Sequence, residues 1–136
     1  MRIVLDTNVL ISGFFWGGPP RQVLDAARSG RVELFTSPTL LAELHEVLQR
    51  PKFADRLRQV GVSAEQLVSD YQQLAVTVQD REFSLPFVRD VDDIVVLACA
   101  LEANATVIVS GDLDLLVLES AAGVSILTAT QLLKLL

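Results

Sequence analysis

Residues 2–9 read Arg2-Ile3-Val4-Leu5-Asp6-Thr7-Asn8-Val9. The run from Arg2 to Leu5 is short, β-branched and apolar, the pattern of a strand; it ends sharply at Asp6, after which Thr7 to Phe15 carries helical spacing. The alternation continues outward from this strand–acid–helix unit. Gly17-Gly18-Pro19-Pro20 closes the first helical stretch, Arg21 to Arg28 is helical and stops at Gly30, and Val32 to Thr36 reads as a second strand. Ser37 before Pro38 is a helix start, the serine oxygen accepting an orphan amide and the proline standing where its missing donor costs nothing. That helix runs to Gln49 and Pro51 breaks it. Phe53 to Val60 resumes a helical pattern, Gly61 ends it, and Ser63 with Gln66 forms a capping-box pattern. Ala75 to Gln79 is a third strand, Arg81 to Arg89 is irregular, and Val91 to Ala103 is a strongly apolar helix. Thr106 to Val109 and Val124 to Leu127 are the fourth and fifth strands, and Thr128 with Gln131 offers a second capping box for a closing helix.

Strands that alternate with helices pair in parallel through right-handed crossovers. The expected fold is therefore α/β: a single domain over residues 1–136, with an open parallel five-stranded sheet flanked by helices. Sheets of this kind hold their ligands at the carboxyl ends of the strands, near the point where strand order reverses.

Composition agrees with one folded domain, since 136 residues suffice for one core and 51% hydrophobic against 21% charged residues is a globular balance. No apolar run approaches the roughly 18 residues of a membrane span, and Asp6 interrupts the N-terminal run where a secretory signal would continue. The expectation is a soluble cytoplasmic protein with no membrane partner. The single cysteine, Cys99, leaves no internal disulfide and no thiolate zinc site. A net charge of −6 argues against a broadly basic nucleic-acid surface. Phosphate binding needs only a local patch, however, and Arg50, Lys52, Arg56 and Arg58 supply one, with Arg50 and Lys52 the candidate substrate contacts. The same run also reads as a salt-bridged helical surface with Asp55 in its midst.

Four acids bear on chemistry. Asp6 follows the first strand and Asp112 follows the fourth through a Ser110-Gly111 turn, so both belong to the functional edge of the sheet; each alone is equally a helix cap or an Asx turn. Asp93 opens an apolar helix and, at about 100° per residue, shares a face with Leu97, Ala100 and Leu101, where a carboxylate is costly unless partnered. Asp90 and Asp92 beside it complement the helix dipole. Glu43 stands next to the stripe of Leu40, Leu41, Leu44, Val47 and Leu48 and can reach inward, whereas His45 borders that stripe on the other side and reads as structural. Carboxylates gathered without Arg or Lys partners repel one another and are stable mainly around a divalent cation. An all-oxygen set selects Mg²⁺ or Mn²⁺ and suits phosphodiester hydrolysis by an activated water.

Asp6-Thr7-Asn8-Val9, Glu43, Asp92-Asp93 before an apolar helix, and Ser110-Gly111-Asp112-Leu113-Asp114 after a strand, taken together and in this order, resemble the PIN domain, and more particularly the VapC-type ribonucleases of toxin-antitoxin pairs. The resemblance implies a Mg²⁺- or Mn²⁺-dependent endoribonuclease acting on single-stranded RNA. It further implies a homodimer or higher oligomer, held inactive by a small antitoxin. It carries the acidic positions over to Asp6, Glu43, Asp93 and Asp112, with Asp114 a further metal ligand or outer partner and Asn8 and Ser110 orienting the carboxylates or their waters. Asp93 fits the third position better than Asp92 by its distance from Leu97-Ala98, and Ser110 stands where the family more often has Thr. The alternative is a catalytically silent PIN-like module that binds metal or RNA. Other acid-after-strand families fit less well: the haloacid-dehalogenase pattern needs a second aspartate where Asn8 stands, and a receiver domain needs a late functional lysine, for which Lys134 is too near the terminus. Phe14, Phe15 and Trp16 read either as core or loop anchors or as an exposed patch for a partner.

Overall fold

A computed structural model describes all 136 residues. In chain order the elements are β1 (Arg2–Leu5), α1 (Thr7–Phe15), α2 (Pro19–Arg28), β2 (Glu33–Thr36), α3 (Pro38–Leu48), a 3₁₀ turn (Pro51–Phe53), α4 (Ala54–Val60), α5 (Ala64–Leu74) and β3 (Val76–Thr77). They are followed by α6 (Val91–Glu102), β4 (Val107–Val109), α7 (Leu113–Leu116), β5 (Ser120–Ala121), β6 (Val124–Leu127) and α8 (Ala129–Leu133).

The sheet has six strands in the order β3-β2-β1-β4-β6-β5. Five pair in parallel, as the alternation of strands and helices requires, and β5 pairs antiparallel with β6 at one edge. The expectation of five strands therefore falls one short. β5 is two residues long and returns on β6 through Ala122 and Gly123, both at positive φ, so it leaves no apolar run to read.

Side chains of β1 alternate between two cores: Ile3 and Leu5 join the cluster under α1, α2, α3, α5 and α8, while Val4 joins Phe35, Ile108 and Ile126 against Val96, Leu97 and Ala100 of α6. Helices thus cover both faces, and the buried strand positions are apolar except for Thr36 at the end of β2. Strand order reverses between β1 and β4, the central pair, because the chain leaves β1 toward β2 and β3 and returns through α6 to β4 on the other side.

Two local readings are corrected. Pro19 and Pro20 do not close the first helical segment but open α2, where neither needs an amide donor; Gly18, at φ 76°, makes the entry. Ser63 caps α5 by accepting from the Gln66 amide, but the Gln66 side chain turns to Asp70, so that box is half made. The box at Thr128 and Gln131 is complete. No helix is long and apolar enough to cross a membrane.

Candidate functional site

Asp6 ends β1 at the strand-order reversal, where its amide still donates to the Val109 carbonyl and continues the β1–β4 ladder. Its side chain caps α1: Oδ1 accepts from the Thr7 amide at 2.8 Å, and Oδ2 accepts from the Ser110 hydroxyl at 2.8 Å. Ser110 is buried and two-handed, its Oγ also accepting from the Asp112 amide at 3.0 Å. Asp112 in turn caps α7, accepting from the Asp114 amide at 2.9 Å. Two carboxylates on neighbouring strands are thus tied through one serine.

The second tie runs through Thr7. Its buried hydroxyl donates to Glu43 Oε2 at 3.1 Å, which holds the α3 glutamate toward the start of α1. In the sequence Thr7 stands out only within the Asp6-Thr7-Asn8 run; a hydroxyl beside the first acid is its one signal, since its partner lies 36 residues away.

Asp93 is buried at the N-terminal turn of α6, and Asp92 beside it is exposed. The Asp93 pKa is pushed up to about 6, first by burial and then by the charges of Asp112, Asp90, Asp6 and Asp114. Asp6 is also raised: burial dominates, the Ser110 and Thr7 hydrogen bonds pull it back, and Asp112 and Asp92 push it up. Glu43 is raised by burial and by Asp92, Asp6 and Glu46, against the Thr7 hydrogen bond. Both acids at the start of α6 therefore belong to the acidic group, Asp92 acting on Asp6 and Glu43, and Asp93 being acted on by Asp112, Asp90, Asp6 and Asp114.

No cation answers these charges: the four ion pairs of the molecule are Arg28–Asp25, His45–Glu65, Arg58–Asp55 and Arg81–Glu102. As the side chains stand, no three His, Cys, Asp or Glu residues are arranged to hold a metal ion. The donors are nevertheless all hard oxygens at a site where ionisation is opposed, the chemistry a divalent cation relieves.

Beside Asp112 and Asp114 opens a cleft of about 740 Å³, lined among others by Asn8, Ser12, Pro19, Pro20, Ser110 and Thr130. It contains no basic residue. Arg50 and Lys52 lie elsewhere, beyond the end of α3. Since α3 runs 11 residues from the carboxyl edge of the sheet, they stand about 16 Å or more from that edge along its axis.

A family model for the PIN domain matches residues 2–114. The chain belongs to the PIN domain family. PIN domains are generally nucleases, and those nucleases generally use divalent metal ions. The matched span reaches from β1 through Asp114 and so contains every acid described above. No curated protein matches the chain. Among solved structures, the PIN fold seen here is similar to a chain in the crystal structure of VapBC2 from Rickettsia felis bound to a DNA fragment from their promoter, with a TM-score of 0.64 and 13% identity over 93% of this chain and 97% of that one.

Proposed function

We propose that this PIN domain is a Mg²⁺- or Mn²⁺-dependent endoribonuclease of single-stranded RNA and the toxin half of a cytoplasmic toxin-antitoxin pair, active as a homodimer or higher oligomer. The observation that supports the nuclease reading is that Asp6 and Asp112, tied through Ser110 at the strand-order reversal, Glu43, tied to Thr7, and the buried Asp93 feel charges of this same acidic group and have no basic partner. The likeness to a chain of the VapBC2 structure supports an antitoxin partner.

Asp6, Glu43, Asp93 and Asp112 would hold the cation, with Asp114 a further ligand or outer partner. A bound Mg²⁺ or Mn²⁺ supplies Lewis-acid stabilisation of phosphate charge and lowers the pKa of a coordinated water. Ser110 and Thr7 orient the Asp6 and Glu43 carboxylates, limiting the reorganisation that binding demands. Asn8, exposed two residues beyond Asp6 and lining the cleft, would orient a carboxylate or its water there. Arg50 and Lys52 hold a part of the strand remote from the scissile bond.

One observation favours a second reading, a catalytically silent module that binds metal or RNA: the acids do not already close into a ligand set. The deciding experiment is cleavage of labelled single-stranded RNA and DNA in Mg²⁺, Mn²⁺ or EDTA, with wild type beside Asp6→Asn and Asp93→Asn. Metal-dependent cutting of RNA, lost in both variants, is expected. Asp6→Asn keeps its fold and melts at the same or a higher temperature in EDTA, because it removes one repelling charge. No cutting in any lane would overturn the nuclease and leave the silent module.

A further inference from the structure

The end of α1 remote from the acids carries a second concentration of chemistry. Trp16, the chain's single tryptophan, follows α1 and remains 44% exposed. Beneath it, Phe15 and Phe53 are buried and stack with centroids 5.6 Å apart; Trp16 meets both edge-on, at 5.7 Å and 6.4 Å. The Arg56 guanidinium lies 5.0 Å from the Trp16 ring centre, and the Lys52 ammonium lies 5.1 Å from that of Phe53. Arg58 is engaged with Asp55, but Arg50, Lys52 and Arg56 form no ion pair. In a chain of net charge −6, an open indole is thus covered on one side by Arg56, with Lys52 over the neighbouring Phe53 and Arg50 preceding the same 3₁₀ turn.

We infer that this patch is a binding platform for single-stranded polynucleotide, with an unpaired base packed against Trp16 and flanking phosphates on Arg50, Lys52 and Arg56. It rests on the proposed action on RNA but is a separate site from the carboxylate cluster. Charge complementarity calls for a polyanion. The apolar part selects its kind: a docked amphipathic helix needs several anchors at helical spacing, whereas a base needs one ring. Here Trp16 is the one open aromatic ring, with the aromatics behind it as buried support; Val60, a turn beyond Arg56 on α4, is the other exposed apolar side chain of this region and presents no flat face. The rigid foundation matters because Phe15 and Phe53 fix the indole and Arg56 restricts it, so little freedom is lost on stacking. α1 is nine residues long, which places the platform about 14 Å from Asp6 along the helix. A strand can thus be held at one end and presented to the acids at the other.

The test is made in EDTA, so that binding is read apart from cleavage. Unlabelled single-stranded oligoribonucleotide is titrated while Trp16 fluorescence is followed, and a dye-labelled copy reports affinity by anisotropy for wild type, Trp16→Ala and the Arg50→Ala/Lys52→Ala double variant. Trp16 emission should change on binding, and Trp16→Ala should weaken affinity roughly tenfold or more. The double variant, altered at two exposed side chains, should flatten the log–log salt dependence by about 1.4. Saturation with unchanged Trp16 emission, unchanged salt dependence in the double variant, or a response to polyglutamate and none to RNA would each overturn the platform. Cutting of RNA in Mn²⁺ with Trp16 silent would remove the platform and leave the nuclease standing; binding at Trp16 without cutting in any metal would do the reverse.

Discussion

Asp93 shows how strongly the acids oppose one another. Its pKa, about 6 in the folded chain against an ordinary aspartate value of 3.8, means that the folded protein binds this proton more tightly than the unfolded one. The stabilisation is complete below the unfolded value and lost as pH rises through about 6. In EDTA, thermal melts should accordingly show a stability gain from this group between pH 7 and pH 5 that is reduced in Asp93→Asn. Saturating cation should remove the gain by holding the carboxylates ionised. Ser110 acts in the other direction. Ser110→Ala removes a donor from Asp6 and an acceptor from the Asp112 amide at a buried position, and should cost about 1–3 kcal/mol in urea unfolding. At this scale much of the candidate site was legible: a carboxylate ending a strand and another on the apolar face of a helix are both costly placements. Thr7 was not, because its role depends on Glu43 arriving from another helix.

Helices α1 and α2 approach closely at Gly13. A Cβ at Gly13 would stand 2.7 Å from Leu24 Cδ1 and 3.2 Å from the Pro20 carbonyl oxygen, and Leu24 is fully buried. Alanine would gain about 1 kcal/mol in helix propensity, but overpacking a site that cannot yield costs about 1–3 kcal/mol. Gly13→Ala should therefore lower the melting temperature despite the better helix former. Element types were largely readable because the longer helices carry their own caps and apolar stripes. Boundaries were less so: Pro19-Pro20 serves a helix start as readily as a stop, and α7 is a four-residue turn held by the Asp112 cap with Leu115 alone buried. β3 keeps two residues of the five expected, since it pairs only with the end of β2.

At the scale of the molecule, a cation that binds the folded chain alone stabilises it by about 2.7 kcal/mol at one hundred times its dissociation constant. Mn²⁺ should raise the wild-type melting temperature, EDTA should reverse the rise, and Asp6→Asn should show little of it; equal shifts in both proteins would place the cation elsewhere. The parallel architecture was legible from alternation alone, since parallel strands need crossovers and the crossovers are the visible helices. The antiparallel β5 edge was hidden because it depends on a short turn and two residues rather than on a pattern. The hydrogen bond from Ser110 to Asp6 spans 104 residues of chain. At a translation rate of about 5–20 residues per second, Asp6 emerges about 5–20 s before its serine partner is made. Until β4 is synthesised and seats beside β1, the first acid has neither Ser110 nor Asp112 near it. Pocket assembly is thereby timed by synthesis, and a ribosome-bound fragment that ends short of β4 lacks Ser110, Asp112 and Asp114 altogether.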